Sequence, residues 1–424
     1  MTAPLFSVLA ATSLESALVL GAIVGVGVLV LALGLYDVRF VLVGAMLMYA
    51  SQLFGPDVLT PRPLVYAALA LVLAGLCAVY RGRMPKFSVL ATGIFPASFV
   101  YLALGIALLW ASVDTGESIT TVFSVLMALT FCWILLSACD PEEIRSAIRW
   151  TTGIVVVLSL IFVLVRPEVA IGAWGQDGLA QRWEGIMENP NALAGFTSVY
   201  FLAAPTLSAV MFALVPTVIM MLGTGTRSAA LGLGVVAGPQ ILREQSRTVR
   251  RIVLGLAILV ALPLLYSVFF SEGAQQVDIT EGSLVRTTNT RAESWGTAVD
   301  SIGANLIGGV GLGNDGKLSE ELTGVHSSLL RPMTELGLLA LIPIGMILNV
   351  GLRAARAPMS PFRSVFGVLL IIAVFEGYVF AGGSFFYVLM ILTGTLMLVD
   401  SGDDEVADDE PAVEGDAPRR VITA

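Results

Sequence analysis

Apolar residues run through this chain in long stretches with few polar interruptions, near 14–34, 38–54, 64–80, 88–110, 119–138, 148–166, 191–205, 207–222, 226–242, 251–270, 327–351, 363–381 and 384–399. Most approach the roughly 20 residues that a helix needs to cross the hydrocarbon of a bilayer. Inside lipid every backbone N–H and C=O must find its partner within its own segment, and for runs of this kind the helix meets that demand. The pattern predicts an all-α fold, a polytopic transmembrane helical bundle of about 12–13 spans over residues 1–400. Between 271 and 325 the apolar pattern lapses into one sizeable loop. Pro205 and Pro216 interrupt 191–222 and leave two readings, one long tilted helix or two short ones.

Charge decides between them. Short loops rich in Lys and Arg stay on the cytoplasmic side. Here they hold Arg81, Arg83 and Lys86; Arg145 and Arg149; Arg243, Arg247, Arg250 and Arg251; and Arg353, Arg356 and Arg363. All share one side only if 191–222 is two spans. Thirteen spans then put the N-terminus outside and the C-terminus inside. The segments 55–63, 111–118, 167–190, 223–226, 271–325 and Gly382–Gly383 face away from the cytoplasm.

Composition agrees with a bilayer solvent: 56% of residues are apolar and 13% charged, with a mean hydropathy of +0.88. Soluble domains carry about 25% charged residues. The net charge of −9 is misleading until it is mapped. Asp403, Asp404, Glu405, Asp408, Asp409, Glu410, Glu414 and Asp416 all lie in residues 401–424, which read as an acidic, disordered cytoplasmic tail. Elsewhere acidic and basic residues nearly cancel, so charge points to no nucleic-acid partner. Cys77, Cys132 and Cys139 lie in or at the ends of apolar segments without ligand spacing and read as packing residues. The first 15 residues hold no Lys or Arg, so the opening apolar run lacks the basic start of a signal peptide and is expected to be a retained helix.

Three places on the predicted outer face hold polar residues that packing does not demand. The first is Gln181–Asn191, with Arg182, Glu184, Glu188, Asn189 and Asn191; the second is Thr226-Arg227-Ser228; the third is the loop ending at His326. Within that loop Ala292, Trp295, Ala298, Val299, Ile302 and Leu306 recur at helical spacing. Thr290-Arg291-Ala292-Glu293 has the form of a capping box, so a short amphipathic helix is expected to begin at Thr290. Arg291 then sits in a first turn, where free N–H groups and the helix dipole favour an anion over a cation. An arginine there fits a bound anion such as a phosphate, or else pairs with Glu293 or the Trp295 ring.

The run Gly308-Gly309-Val310-Gly311-Leu312-Gly313-Asn314 follows no strand and lies outside in this topology, which argues against a nucleotide fingerprint and for a flexible turn. His326 is the sole histidine, and it heads the apolar run 327–351. A helix start favours the neutral imidazole, which can accept a proton from a hydroxyl; a simple interfacial anchor is the other reading. Arg331 and Glu335 are spaced to pair across one helical turn. Glu376 is a further intramembrane carboxyl for which the sequence offers no partner. No metal-ligand cluster, Asp-x-Asp or Gly-Lys-Ser/Thr motif is visible, so neither a metal site, a nucleotide-sugar transferase nor an ATPase is favoured.

Over roughly residues 175–350 the pattern resembles the O-antigen ligase and polymerase family of membrane glycosyltransferases. Five pieces in order carry it: Asn189-Pro190-Asn191-Ala192-Leu193-Ala194; the Thr-Arg-Ser of Arg227; Arg291 with Trp295; Gly309-Val310-Gly311-Leu312-Gly313-Asn314; and His326 with Glu335-Leu336-Gly337-Leu338. Ser327 departs from the family pattern, which often has Asn after the histidine.

The resemblance implies a glycosyltransferase in the plasma (inner) membrane with its active face outside. The donor would be a polyprenyl-diphosphate-linked glycan, and the acceptor a glycan, lipid or protein hydroxyl. Neither cofactor nor metal is implied, and membrane lipids are the expected surroundings. Arg182, Arg227 and Arg291 would bind the diphosphate, His326 would take the acceptor proton, and Asn191, Trp295, Arg331 and Glu335 would support them. The rivals are a lipid-linked glycan flippase or polysaccharide exporter, marked by intramembrane charge and broken helices, and a cell-wall glycosyltransferase, which the loop motifs match less well.

Overall fold

A computed structural model describes residues 37–54, 63–174, 180–187, 189–204, 207–243, 290–317, 325–356 and 360–407. The predicted spans 14–34 and 251–270, the loop before residue 290 and residues 408–424 of the expected tail lie outside these residues, while 401–407, expected to be disordered, continue the last helix.

The chain is a mostly helical, multi-pass membrane protein. Its helices are α1 (Val38–Ala50), α2 (Pro63–Tyr80), α3 (Phe95–Ala107), α4 (Thr115–Ala138), α5 (Pro141–Val165), α6 (Pro190–Leu202), α7 (Leu207–Thr224), α8 (Arg227–Arg243), α9 (Thr290–Ala304), α10 (Leu330–Leu336), α11 (Leu341–Arg356), α12 (Pro361–Phe375) and α13 (Phe385–Ala407). Among the described residues, Thr115–Ala138, Pro141–Val165 and Leu338–Arg356 are long and apolar enough to cross a bilayer alone; the other apolar helices are shorter. The outer surfaces are as apolar as the interior: on α5, Val157, Leu158, Ile161 and Leu164 are exposed while Val155, Val156 and Val163 are buried. A helix apolar all round belongs in lipid.

The interior is built on α6 and the first half of α13. Small residues let α6 come close to its neighbours, as expected where lipid offers no hydrophobic drive between helices. A Cβ on Gly195 would come within 2.8 Å of the Phe386 ring. Beside it Phe196 stacks on Phe385 with centroids 5.0 Å apart and meets Phe386 edge-on at 5.1 Å. Around this pair α6 packs on α5, α7, α8 and α12, and α13 packs on α12 and α4.

The two ends of the bundle differ in chemistry. At one, Arg81 pairs with Glu143, and Arg83 with Asp140 at 2.9 Å, joining the end of α2 to the start of α5. This is the end that the basic loops assign to the cytoplasm. The expected division of 191–222 is found as two separate helices: α6 and α7 run antiparallel, so Asn191 and Thr224 both reach one arginine, Arg182, at the other end.

Four further sequence expectations change. The segment 167–190 departs from an all-α reading: β1 (Ile171–Trp174) and β2 (Ala180–Trp183) form an antiparallel hairpin with Gly172 opposite Arg182. Strands this short carry too little alternation to register against an apolar background. The run 88–110 is a 3₁₀ turn and a separate helix, parted at Gly93, whose φ of 61° brings the chain against Thr395. The run 363–381 stops at Phe375, where Glu376 turns extended.

The run 327–351 is broken at Gly337, with φ 64° and ψ −150°. His326 therefore stands before a seven-residue helix, α10, rather than heading a full span. Leu306 accepts from the Leu338 N–H at 2.9 Å across this break.

The Gly337 backbone lies in a region that only glycine adopts freely, and a Cβ there would run into the carbonyls of Leu306 and Asn305. Gly337→Ala is expected to destabilise the fold by about 1–3 kcal/mol. Gly345→Ala, in α11 with open space around it, should be neutral or up to about 1 kcal/mol stabilising. Thermal unfolding of the two purified variants in detergent checks this, and equal melting points would contradict it.

Candidate functional site

The end of the bundle opposite Arg81 and Glu143 gathers the polar residues into one hydrogen-bonded system. Its entry is the β-hairpin, held down by Trp183, whose ring occupies the space a Cβ on Gly223 would need. Beside it Arg182 is buried, 8% exposed. Its Nε donates to the Thr224 carbonyl at 2.6 Å, and its Nη2 donates to Asn191 Oδ1 at 2.7 Å and Thr226 Oγ1 at 2.9 Å. One guanidinium thus ties β2 to the start of α6 and to the α7–α8 junction.

Asn189-Pro190-Asn191 explains why α6 starts there. Asn189 caps the helix by accepting from the Asn191 N–H at 2.8 Å, and proline stands at the first helical position, where a missing N–H costs nothing. The Asn191 side chain then faces both ways. Its Oδ1 accepts from Arg182 and from Thr226 Oγ1, while its Nδ2 donates to Glu376 Oε2 at 3.0 Å. Ser228 donates to Glu376 Oε1 at 2.9 Å. Glu376, 1% exposed, thereby holds the first turns of α6 and α8. Tyr378 adds a bond from its hydroxyl to the Asn191 carbonyl at 2.8 Å.

The same residue seats the histidine segment. The Glu376 carbonyl accepts from the Ser328 N–H at 2.9 Å and from Ser328 Oγ at 2.5 Å. Gly377 makes the approach possible, since a Cβ there would collide with the Val325 carbonyl. On the other side, α9 begins at Thr290 as expected. Its Trp295 indole donates to the His326 carbonyl at 2.9 Å, and Ser294 Oγ accepts from the His326 N–H at 3.2 Å. Arg291 lies one turn before Trp295 on α9, and His326 is half-buried. Of the expected apolar face of α9, Ala298 and Ile302 are buried but Val299 and Leu306 are exposed.

A second cluster centres on Arg331. Arg331 bonds Glu335 at 3.1 Å, the pairing their spacing implies, and also Asp315 at 2.9 Å. Tyr101 donates to Glu335, as does the Gly313 N–H at 3.0 Å. The glycine run is no flexible turn: Gly308, Gly309, Gly311 and Gly313 all have positive φ, and Val310 and Gly311 donate to the Thr334 and Glu335 carbonyls at the end of α10. At the surface, Lys317 pairs with Asp114 and holds its carboxyl below the usual range, helped by N–H bonds at the start of α4.

The site is recessed. Ile186, between hairpin and α6, bonds Ser159 Oγ at 3.3 Å, and Ser159 lies six residues before the end of α5. At a rise of about 1.5 Å per residue this is about 9 Å below that end. Of the residues singled out by sequence, Arg182 and Asn191 are joined directly, Trp295 bonds the His326 carbonyl, and Arg331 and Glu335 pair in the second cluster. Glu376, Thr226, Ser228 and Ser328 link the first two pairs; Thr226 and Ser228 stood out in the sequence only as neighbours of Arg227, and Glu376 only as a carboxyl without a partner. Among the described residues no three histidine, cysteine or acidic side chains lie together, so none offers a metal-ligand set.

A family model described as O-antigen ligase matches residues 212–345, less than half of the chain. The match takes in Arg227, Arg291, Trp295, His326, Arg331 and Glu335; Arg182 and Asn191 precede it and Glu376 follows it. A search of curated proteins found no match.

Arg331 pairs with both Asp315 and Glu335, whose side chains are 7% and 1% exposed. Arg331→Met should leave two buried carboxylates without it and destabilise the protein by about 3–5 kcal/mol. Lys317→Ala, at a half-exposed pair, should not shift unfolding measurably. Chemical unfolding followed by tryptophan fluorescence separates the two, and similar shifts would contradict this account.

Proposed function

We propose that this protein transfers a glycan from a polyprenyl-diphosphate carrier to a hydroxyl of a glycan, lipid or protein acceptor, on the non-cytoplasmic face of the plasma membrane. One observation carries the reading. Arg182 and Asn191, from one part of the chain, and the main chain around His326, from another, are tied together through Glu376 and Ser328 at one recessed end of the bundle. The O-antigen ligase match over 212–345 supports it independently.

The chemistry asks for two things. The diphosphate must be held and its growing charge stabilised as the sugar departs, and a base must take the acceptor proton. Arginines suit the first, since a guanidinium offers a planar fork of donors matched to phosphate oxygens. Arg227 at the start of α8 and Arg291 at the start of α9 each stand where helix N–H groups also favour an anion. Arg182, whose Nε and Nη2 already serve protein acceptors, adds positive charge and fixes the turn before Arg227.

His326 serves the second. The acceptor oxygen attacks the anomeric carbon as the imidazole takes its proton. The bond from that carbon to the diphosphate oxygen breaks, and polyprenyl diphosphate leaves with the electron pair. A single displacement inverts the anomeric configuration. Asn191, Trp295, Arg331 and Glu335 position the participants without touching the reacting atoms.

The test is deletion of the gene and complementation with wild type, Arg291→Ala and His326→Ala, reading surface glycan and lipid-linked intermediates together. Wild type should restore surface glycan. Loss of the base is expected to lower transfer by about 10²–10⁴-fold, and loss of the arginine by about 10²–10³-fold. Both variants should accumulate lipid-linked glycan on the outer leaflet while expressing normally. Unchanged transfer in both variants would remove the proposal, and accumulation on the inner leaflet would assign a flippase instead.

A further inference from the structure

We infer that Glu376 is the positioning residue of this site: it orients the Asn191 amide, and through it Arg182 and Thr226, so that the diphosphate-binding side and the histidine side form as one unit. The inference rests on the polyprenyl-diphosphate reading given above and names what assembles that site.

An amide has a donor end and an acceptor end of nearly equal shape, so its direction is set by its neighbours. Here the carboxylate, which only accepts, fixes Nδ2 of Asn191 towards Oε2 at 3.0 Å. Oδ1 must then face the other way, where it accepts from Arg182 at 2.7 Å and Thr226 at 3.0 Å. Turned about, Asn191 would set an amide N–H against the guanidinium and carbonyl oxygen against carboxylate. The second carboxylate oxygen accepts from Ser228, the residue after Arg227. The main chain at Glu376 and Gly377 meanwhile seats Ser328 and Val325 on either side of His326. A carboxylate this deeply buried is costly unless every lone pair is served, and such a network fixes geometry more strictly than its separate bonds would.

The arrangement predicts a compensating exchange. In Asn191→Asp two carboxylates face each other across a hydrogen-bond distance and the network breaks. Adding Glu376→Gln restores it, because the new amide donates to the carboxylate at 191 and accepts from Ser228. The carboxylate at 191 still accepts from Arg182 and Thr226.

The experiment is binding of a radiolabelled polyprenyl diphosphate to the full-length protein in nanodiscs, for wild type, Glu376→Ala, Glu376→Gln, Asn191→Asp and the double variant. Melting temperature is recorded in parallel. Glu376→Ala and Asn191→Asp should each weaken binding by at least about tenfold, the loss expected when one partner of a buried charged hydrogen bond is removed. Glu376→Gln should bind more tightly than Glu376→Ala, and the double variant at least several-fold more tightly than Asn191→Asp.

Should Glu376→Ala fail to fold, comparison of Asn191→Asp with the double variant decides the matter. A double variant as weak as Asn191→Asp, or an Asn191→Asp that binds like wild type, overturns the positioning role while leaving the diphosphate reading in place. Failure of wild type to retain the polyprenyl diphosphate overturns both.

Discussion

A carboxyl group buried among apolar helices must have its hydrogen-bonding oxygens served by donors, and Glu376 obtains its donors from segments far apart in the chain. Asn191 reaches it from the start of α6 and Ser228 from the start of α8. Its own carbonyl receives Ser328 from the segment before α10. In water these bonds would be replaceable. In a membrane bundle they are not, because no bulk solvent waits to take over. That demand brings the hairpin, the α7–α8 junction and the histidine segment to one place. The basic end of the bundle has its own ion pairs, Arg81 with Glu143 and Arg83 with Asp140, and needs no such convergence.

Helix length turns this convergence into a recess. α4 and α5 run for 24 and 25 residues, α6 for only 13. At about 1.5 Å per residue the first two exceed the ~30 Å of hydrocarbon and the last falls well short of it. The bond from the Ile186 N–H to Ser159 Oγ places the chain leading into α6 below the end of α5. A group bound there would be shielded from water, and in such surroundings charged hydrogen bonds act more strongly than at a surface. The cluster of Arg331, Glu335, Asp315 and Tyr101 ties the glycine run to α10.

Local periodicity made much of this legible in the sequence. The i,i+4 spacing of Arg331 and Glu335 implied their pairing, and the pattern after Thr290 implied a helix beginning there. The distribution of arginine in short loops decided that 191–222 is two helices. The partners of Glu376 were out of reach, because the bonds to Asn191 and Ser228 join positions 185 and 148 residues apart and leave no local periodicity. The breaks at Gly93 and Gly337 were hidden by apolar runs that continue through them. The hairpin was hidden by strands of four residues each. Glycine conformation and close approach carry those features, and neither is encoded in hydropathy.

The central claim is that the recessed end breaks a glycan–diphosphate bond rather than moving an intact lipid. The most direct test reconstitutes the purified protein in liposomes with a polyprenyl-diphosphate-linked oligosaccharide and a hydroxyl-bearing acceptor, and follows both halves of the donor. The account predicts free polyprenyl diphosphate appearing in step with glycan joined to acceptor through an inverted anomeric linkage. Intact lipid-linked oligosaccharide crossing the bilayer, with no polyprenyl diphosphate released, would contradict it.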